Sequence, residues 1–233
     1  ELDDIVLEAT VSTIVRAFQH NTLTVEELVT YYIHRIRTYD VDGLRSIIKL
    51  NPDALTIARE MDEARANGER VGALHGIPII IKDNIATGDN MHNTAGSGAL
   101  ANASSPRDAF LVAQLRDAGA LILAKANMSE WAYWMFENGP SGYTALGGQV
   151  VNAYGADIDP FGSSTGSAVG VSANLAMLSV GTETAGSIIA PAARTSTVGM
   201  HPSLGLISRD LIIPLSDQLD TAGPITRTVA DAA

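Results

Sequence analysis

Apolar residues recur at helical spacing in the first forty positions. Val11, Ile14, Val15 and Phe18 form one stripe, and Leu28, Val29, Tyr32, Ile33 and Ile36 form a second. Thr24 with Glu27 three residues on has the form of a capping box and predicts the start of the second helix. Asn51 as N-cap, Pro52 at the first helical position and Gly68 just past the end predict a third. The pattern then changes. Gly76 to Ile81 is apolar at successive positions, as in a strand buried on both faces, and Ala120 to Ala124 reads the same way. Between them, Ser105-Pro106 predicts a helix running to Gly119. This alternation predicts an α/β domain: a mixed β-sheet core with helices on both faces. The expected division is a helical arm over residues 1–70, packed on one continuous core over residues 71–233.

From about Gly139 the chain is rich in Gly, Ser, Thr and Ala, most of all between Gly162 and Ser187. Two readings stay open. Small residues let a helix pack closely on a sheet, and Gly and Ser at turns let backbone N–H groups approach a ligand.

Composition narrows the classes. The 233 residues are 46% hydrophobic and 18% charged, enough for a sizeable core. A net charge of −11 argues against a nucleic-acid surface. The longest apolar runs fall far short of the roughly 20 residues of a membrane span. With no cysteine, disulfides, Cys-based metal sites and a Cys nucleophile are excluded. No charged-then-apolar leader follows Glu1, so a signal peptide is expected to be absent or removed. The compartment is left open, with the cytoplasm preferred over secretion. Asn102 and Asn127 head Asn-x-Ser/Thr triplets, which matter only in a secreted protein.

Three serine patterns compete. Ser46-Ile47-Ile48-Lys49 has the Ser-x-x-Lys spacing of penicillin-binding enzymes, but their other motifs are missing, and it is read as coincidence. Gly162-Ser163-Ser164-Thr165-Gly166 matches the Gly-x-Ser-x-Gly elbow with Ser164 in the centre. Its preceding segment is a poor strand, and the only downstream histidine is His201. The third pattern is distributed: Lys82 ends a buried strand, a Gly-Ser-Ser turn follows at 162–164, and Ser187 closes a Gly-Thr-Glu-Thr-Ala-Gly-Ser run. A lysine buried at a strand end has its pKa lowered by desolvation and offers a neutral amine as base. Equally, Lys82 could turn to solvent or pair with Asp83.

Gly76-Ile77-Pro78-x-x-x-Lys82-Asp83-Asn84, Gly162-Ser163-Ser164-x-Gly166-Ser167-Ala168 and Gly181-Thr182-Glu183-Thr184-x-Gly186-Ser187-Ile188 resemble the three motif blocks of the amidase-signature enzymes. They stand in family order, with 24 residues between Ser163 and Ser187. Asn127 to Ala132, Gly147-Gly148-Gln149, Leu206 to Asp210 and Asp220 to Pro224 lean toward the peptide-amidase-like branch.

The resemblance implies an amidohydrolase acting on a peptide C-terminal amide or another small amide. It assigns Ser187 as nucleophile, Ser163 (reached through a cis peptide bond) as bridging serine, and Lys82 as base. Thr184, Ala185, Gly186 and Ser187 would supply the oxyanion-hole N–H groups, and Ser164 would orient Lys82. No metal, cofactor, nucleic acid or membrane is implied. The chain would carry only the N-terminal half of the fold, with a C-terminal half or second chain completing it. The alternatives are a non-catalytic truncated module and an A-type amidotransferase subunit. The chain departs from the family pattern at Ile189, where Arg is usual, at Glu183, often Asp, at Thr165, where Gly is usual, and at Met200-His201-Pro202.

Overall fold

A computed structural model describes residues 2–69, 71–135 and 137–233. The two predicted amphipathic stripes become α2 (Val11–Gln19) and α3 (Val25–Arg35), preceded by a short α1 (Leu2–Val6). The Thr24–Glu27 capping box forms as expected: Thr24 Oγ1 accepts the Glu27 N–H, and the Glu27 carboxylate accepts the Thr24 N–H. A π-helical stretch, Ile36–Leu44, continues α3 and leads into β1 (Ile47–Leu50), a strand the hydrophobic pattern did not single out.

The third helix, α4 (Ala54–Ala66), opens two residues later than expected. Asn51 is not its N-cap. Its Oδ1 accepts the Asp53 N–H at 3.0 Å, and its Nδ2 reaches the carbonyl of Ile122 at 2.8 Å, so a turn and a tie to the sheet take the residue instead. A similar correction applies after Ser105. Helix α5 spans only Phe110–Asp117, because residues 105–109 are drawn into tertiary contacts. Arg107 pairs with Asp210, Asp108 accepts from Gly88 N–H and Arg116, and Ala109 N–H donates to Ala86.

The sheet is mixed and six-stranded. Its other members are β2 (Pro78–Lys82), β3 (Leu121–Ala126), β6 (Leu178–Glu183), β7 (Val198–Gly199) and β8 (Thr221–Thr226), in the order β1-β3-β2-β6-β8-β7. Strands β3, β2 and β6 run parallel at the centre, and β1, β8 and β7 pair antiparallel outside them. Strands β4 (Tyr143–Thr144) and β5 (Gly148–Gln149) form a separate small hairpin. Every residue of β2 and β3 is buried, as a centre covered on both faces requires.

Helix α6 (Thr165–Ser172) packs on this centre through its small residues. A Cβ on Gly166 would lie 2.2 Å from the Ser46 carbonyl oxygen, and one on Gly170 2.7 Å from Ile80 Cδ1. Close packing therefore explains much of the Gly/Ser/Ala run. A short α7 (Ile189–Arg194), a C-terminal turn, α8 (Val229–Ala232), and 3-10 turns at Gly98–Leu100 and Glu130–Tyr133 complete the elements. Since β1 pairs with β3, residues 47–50 belong to the sheet although they lie within the stretch expected to form an arm. Among the described residues no helix is long and apolar enough to cross a membrane.

Candidate active site

Parallel strands place their C-terminal ends side by side, where open α/β sheets carry their ligands. Lys82 is the last residue of β2, and Thr182 and Glu183 end its neighbour β6. Lys82 is fully buried and neither turns to solvent nor pairs with Asp83, whose carboxylate is held by Thr94 and the Gly96 N–H. Its Nζ donates to Ser163 Oγ at 2.7 Å, Thr182 Oγ1 at 2.9 Å and Thr182 O at 3.1 Å. Burial lowers its pKa to about 7, against the opposing pull of Glu183 and Asp220. A substantial fraction is therefore the neutral amine at neutral pH.

Ser163 follows a cis Gly162–Ser163 peptide bond just ahead of α6. Ser164 differs from the expectation that it orients Lys82 directly. Its Oγ donates to the Thr182 carbonyl at 2.9 Å and accepts the Thr182 N–H at 3.2 Å. Its effect on Lys82 passes through Thr182, and a hydroxyl buried and bonded in this way is not a free nucleophile. Segment 157–161, ahead of the Gly-x-Ser-x-Gly match, forms no strand.

Ser187 closes the turn after β6. Its carbonyl accepts the Ser164 N–H at 3.0 Å, which joins the two serine segments, while its hydroxyl makes no hydrogen bond among the described residues. Glu183 organises this turn. Its Oε1 accepts from Gly186 N–H at 2.7 Å, and its Oε2 from Ile188 N–H at 2.7 Å and Ile189 N–H at 3.0 Å. Gly186 has φ 95°, a conformation that favours glycine. The expected oxyanion set is thereby narrowed, since the Gly186 N–H is engaged by Glu183. Thr184 is held from its other side, where its Oγ1 donates to Asp220 Oδ1 at 2.5 Å. Asp220 Oδ2 in turn accepts the Leu215 and Ser216 N–H groups.

Two cavities adjoin these residues. One of about 490 Å³ is walled mainly by apolar groups, among them Met128, Trp131, Ile213 and Leu215. A second of about 250 Å³ includes Thr182, Thr184, Arg209 and Asp220. Neither is lined by Ser163 or Ser187, and they share Asn84, two residues beyond Lys82, and the segment Ile213, Pro214 and Leu215. The wall bearing Trp131 is tied to the relay by the Ser129 N–H, which donates to the Ser163 carbonyl at 3.1 Å. Among the described residues no group of three or more His, Asp or Glu stands in position to hold a metal ion.

The family profile named Amidase matches residues 27–233. The chain belongs to the amidase family. An amidase-named protein of Schizosaccharomyces pombe is 46% identical over 225 residues, covering 97% of this chain and 38% of that protein. The solved structure of native peptide amidase from Stenotrophomonas maltophilia superposes with TM-score 0.94 at 48% identity, covering 97% of this chain and 46% of that one. An amidase family protein from Bacillus anthracis gives TM-score 0.95 at 45% identity, with 99% and 46% coverage. The chain thus spans less than half the length of these relatives.

The departures from the amidase pattern at Ile189, Glu183 and Thr165 have local structural answers. Where Arg is usual, Ile189 is half-exposed, and the carboxylate of Glu183 finds three backbone N–H donors instead. Thr165 Oγ1 donates to the Phe161 carbonyl at 2.7 Å at the start of α6. Two other patterns turn out to be structural. Ser46 bonds Asp40 at 2.6 Å while Lys49 is exposed, and Asn127 is fully buried with its side chain bonded to Arg45, Thr144 and Gly148. Thr182 and Asn84, which join Lys82 in one hydrogen-bonded cluster, were not singled out by sequence reasoning. Both stand inside quoted motif blocks, and a polar residue ending a buried strand beside Lys82 was the available signal.

Proposed function

We propose that this chain carries the catalytic machinery of an amide hydrolase, with Ser187 as nucleophile, Ser163 as bridge and Lys82 as base. The reading rests above all on one contact: Lys82 Nζ lies 2.7 Å from Ser163 Oγ, out of solvent, with its pKa lowered to about 7. In the neutral state two N–H bonds of the amine point at the Thr182 carbonyl and hydroxyl oxygens. The lone pair is then left to accept the Ser163 proton.

Ser163 takes the Ser187 proton as Ser187 Oγ attacks the amide carbon. The negative charge on the former carbonyl oxygen faces the N–H groups of Thr184, Ala185 and Ser187. When the C–N bond breaks, the proton held by Lys82 returns through Ser163 to the leaving nitrogen. Water then attacks the acyl-enzyme by the same relay in reverse and frees Ser187. The substrate is a carboxamide, with a peptide C-terminal amide the first candidate because the chain superposes on a peptide amidase. The apolar cavity suits an apolar acyl group. A non-catalytic module or an amidotransferase subunit has less support, since the relatives named above carry amidase names.

The test is labelling of the intact protein with a fluorophosphonate. Attachment at Ser187 that disappears in Ser187→Ala and Lys82→Ala is the expected result. Labelling that survives Ser187→Ala but vanishes in Ser164→Ala would overturn the assignment.

A further inference from the structure

Asn84 takes no part in the relay but touches it. Its Nδ2 donates to Thr182 Oγ1 at 3.0 Å, the oxygen that also accepts from Lys82 Nζ at 2.9 Å. Its backbone carbonyl accepts the Ile213 N–H at 2.9 Å, so main chain and side chain are both anchored. The residue is only 2% exposed, yet its Oδ1 has no partner among the described residues. Buried acceptors are normally paired, and one left open beside a cavity calls for a donor that arrives with a ligand.

Asn84 also lines both cavities, together with Ile213, Pro214 and Leu215. The larger one has two other polar side chains in its wall, and both are already used as acceptors. Glu130 Oε2 takes the Ala145 N–H at 2.7 Å, and Ser97 Oγ takes the Ala99 N–H at 3.4 Å. Among the described residues Asn84 Oδ1 is the buried side-chain acceptor in this wall that has no partner. The proposed amide substrate brings a neutral N–H donor to this acceptor.

We infer that Asn84 Oδ1 accepts a hydrogen bond from an N–H of the bound amide, which makes Asn84 a specificity-determining residue. The inference rests on the proposed amide hydrolysis. The donor is either the scissile nitrogen or a second amide N–H within the acyl group, and both present the same chemistry to Oδ1.

Three matched substrates separate the two sources. One is an amide with both N–H groups, one has oxygen in place of the scissile N–H, and one has oxygen in place of the acyl-group N–H. In the intact protein, Asn84→Leu is expected to lower kcat/KM about tenfold more for substrates that keep the recognised N–H than for the analogue lacking it. Asn84→Asp, which keeps an oxygen at this position, retains the preference. Thr182→Val disturbs Lys82 without removing Oδ1 and slows all three alike. Asn84→Ser serves as the second truncation if the leucine variant does not fold, as judged by its thermal melt.

An equal loss on all three substrates in the truncated variants overturns the inference and leaves Asn84 as a support for Thr182. Absence of fluorophosphonate labelling at Ser187 in the wild-type protein overturns the proposed function, and this inference with it.

Discussion

Lys82 and Lys125 lie on neighbouring strands of one sheet, and both are fully buried. Burial pushes both amines down, to about 7 for Lys82 and about 8 for Lys125, against carboxylates that pull the other way. Their register separates them. Ile81 pairs with Lys125 and Lys82 with Ala126, so the two side chains leave the sheet on opposite faces. Lys82 meets a serine hydroxyl, whereas Lys125 donates to the carbonyl of Ile85. A hydroxyl has a proton to give up and a carbonyl has none. A depressed pKa therefore makes an amine available, but the partner decides whether there is anything for it to activate.

The largest expected effect breaks this comparison directly. Lys82→Ala should lower the rate of Ser187 labelling by about 10³-fold or more, the scale of a lost general base. Lys125→Met should leave that rate within about threefold, because no proton moves at Lys125. A comparable loss in both variants, with folding intact by circular dichroism, would mean that burial and not the partner matters.

Glu183→Ala comes next. It frees three backbone N–H groups and releases the turn that presents Ser187, so labelling should fall about 10²-fold, the scale of a disturbed oxyanion site. Thr182→Val removes one of the two Thr182 oxygens that hold the Lys82 amine and should cost about tenfold. Stopped-flow labelling resolves both.

Titration sharpens the contrast further. With Lys82 near 7, the labelling rate should fall about fivefold between pH 7 and pH 6 as the amine takes up a proton, and Lys125→Met should not move that limb. The smallest effect concerns stability. An unfolded lysine holds its proton up to its ordinary value of 10.5, while folded Lys125 releases it above about 8. Between these values the unfolded chain binds more protons, so stability rises with pH and is lost again as pH falls through the folded value. Thermal melts between pH 8 and pH 10 should show this rise in the wild-type protein and a shallower one in Lys125→Met.

How much of the molecule was legible in advance follows from the range of the interactions. The α2 and α3 stripes, the Thr24–Glu27 cap and the buried strand ending at Lys82 depend on neighbours within a few residues, and periodicity reports those. The late starts of α4 and α5 depend on Ile122, Asp210 and Ala86, which are distant in the chain, and propensity cannot see them. Strand β1 was hidden because four residues beside Pro52 form a strand only when β3 is there to pair with.

The sequence by itself determined the family and the α/β class, and its motif blocks singled out Lys82, Ser163 and Ser187 as candidates, because motif residues at fixed spacing survive without coordinates. It also carries Lys125 directly behind the apolar run Ala120 to Ala124, and hydrophobic pattern alone does not tell its surroundings from those of Lys82. Only the tertiary structure shows how those surroundings differ. Strand pairing sets the face on which each amine emerges. The approach of Ser163 and Thr182 from far along the chain sets what Lys82 meets, and the turn after β2, at Ile85, sets what Lys125 meets.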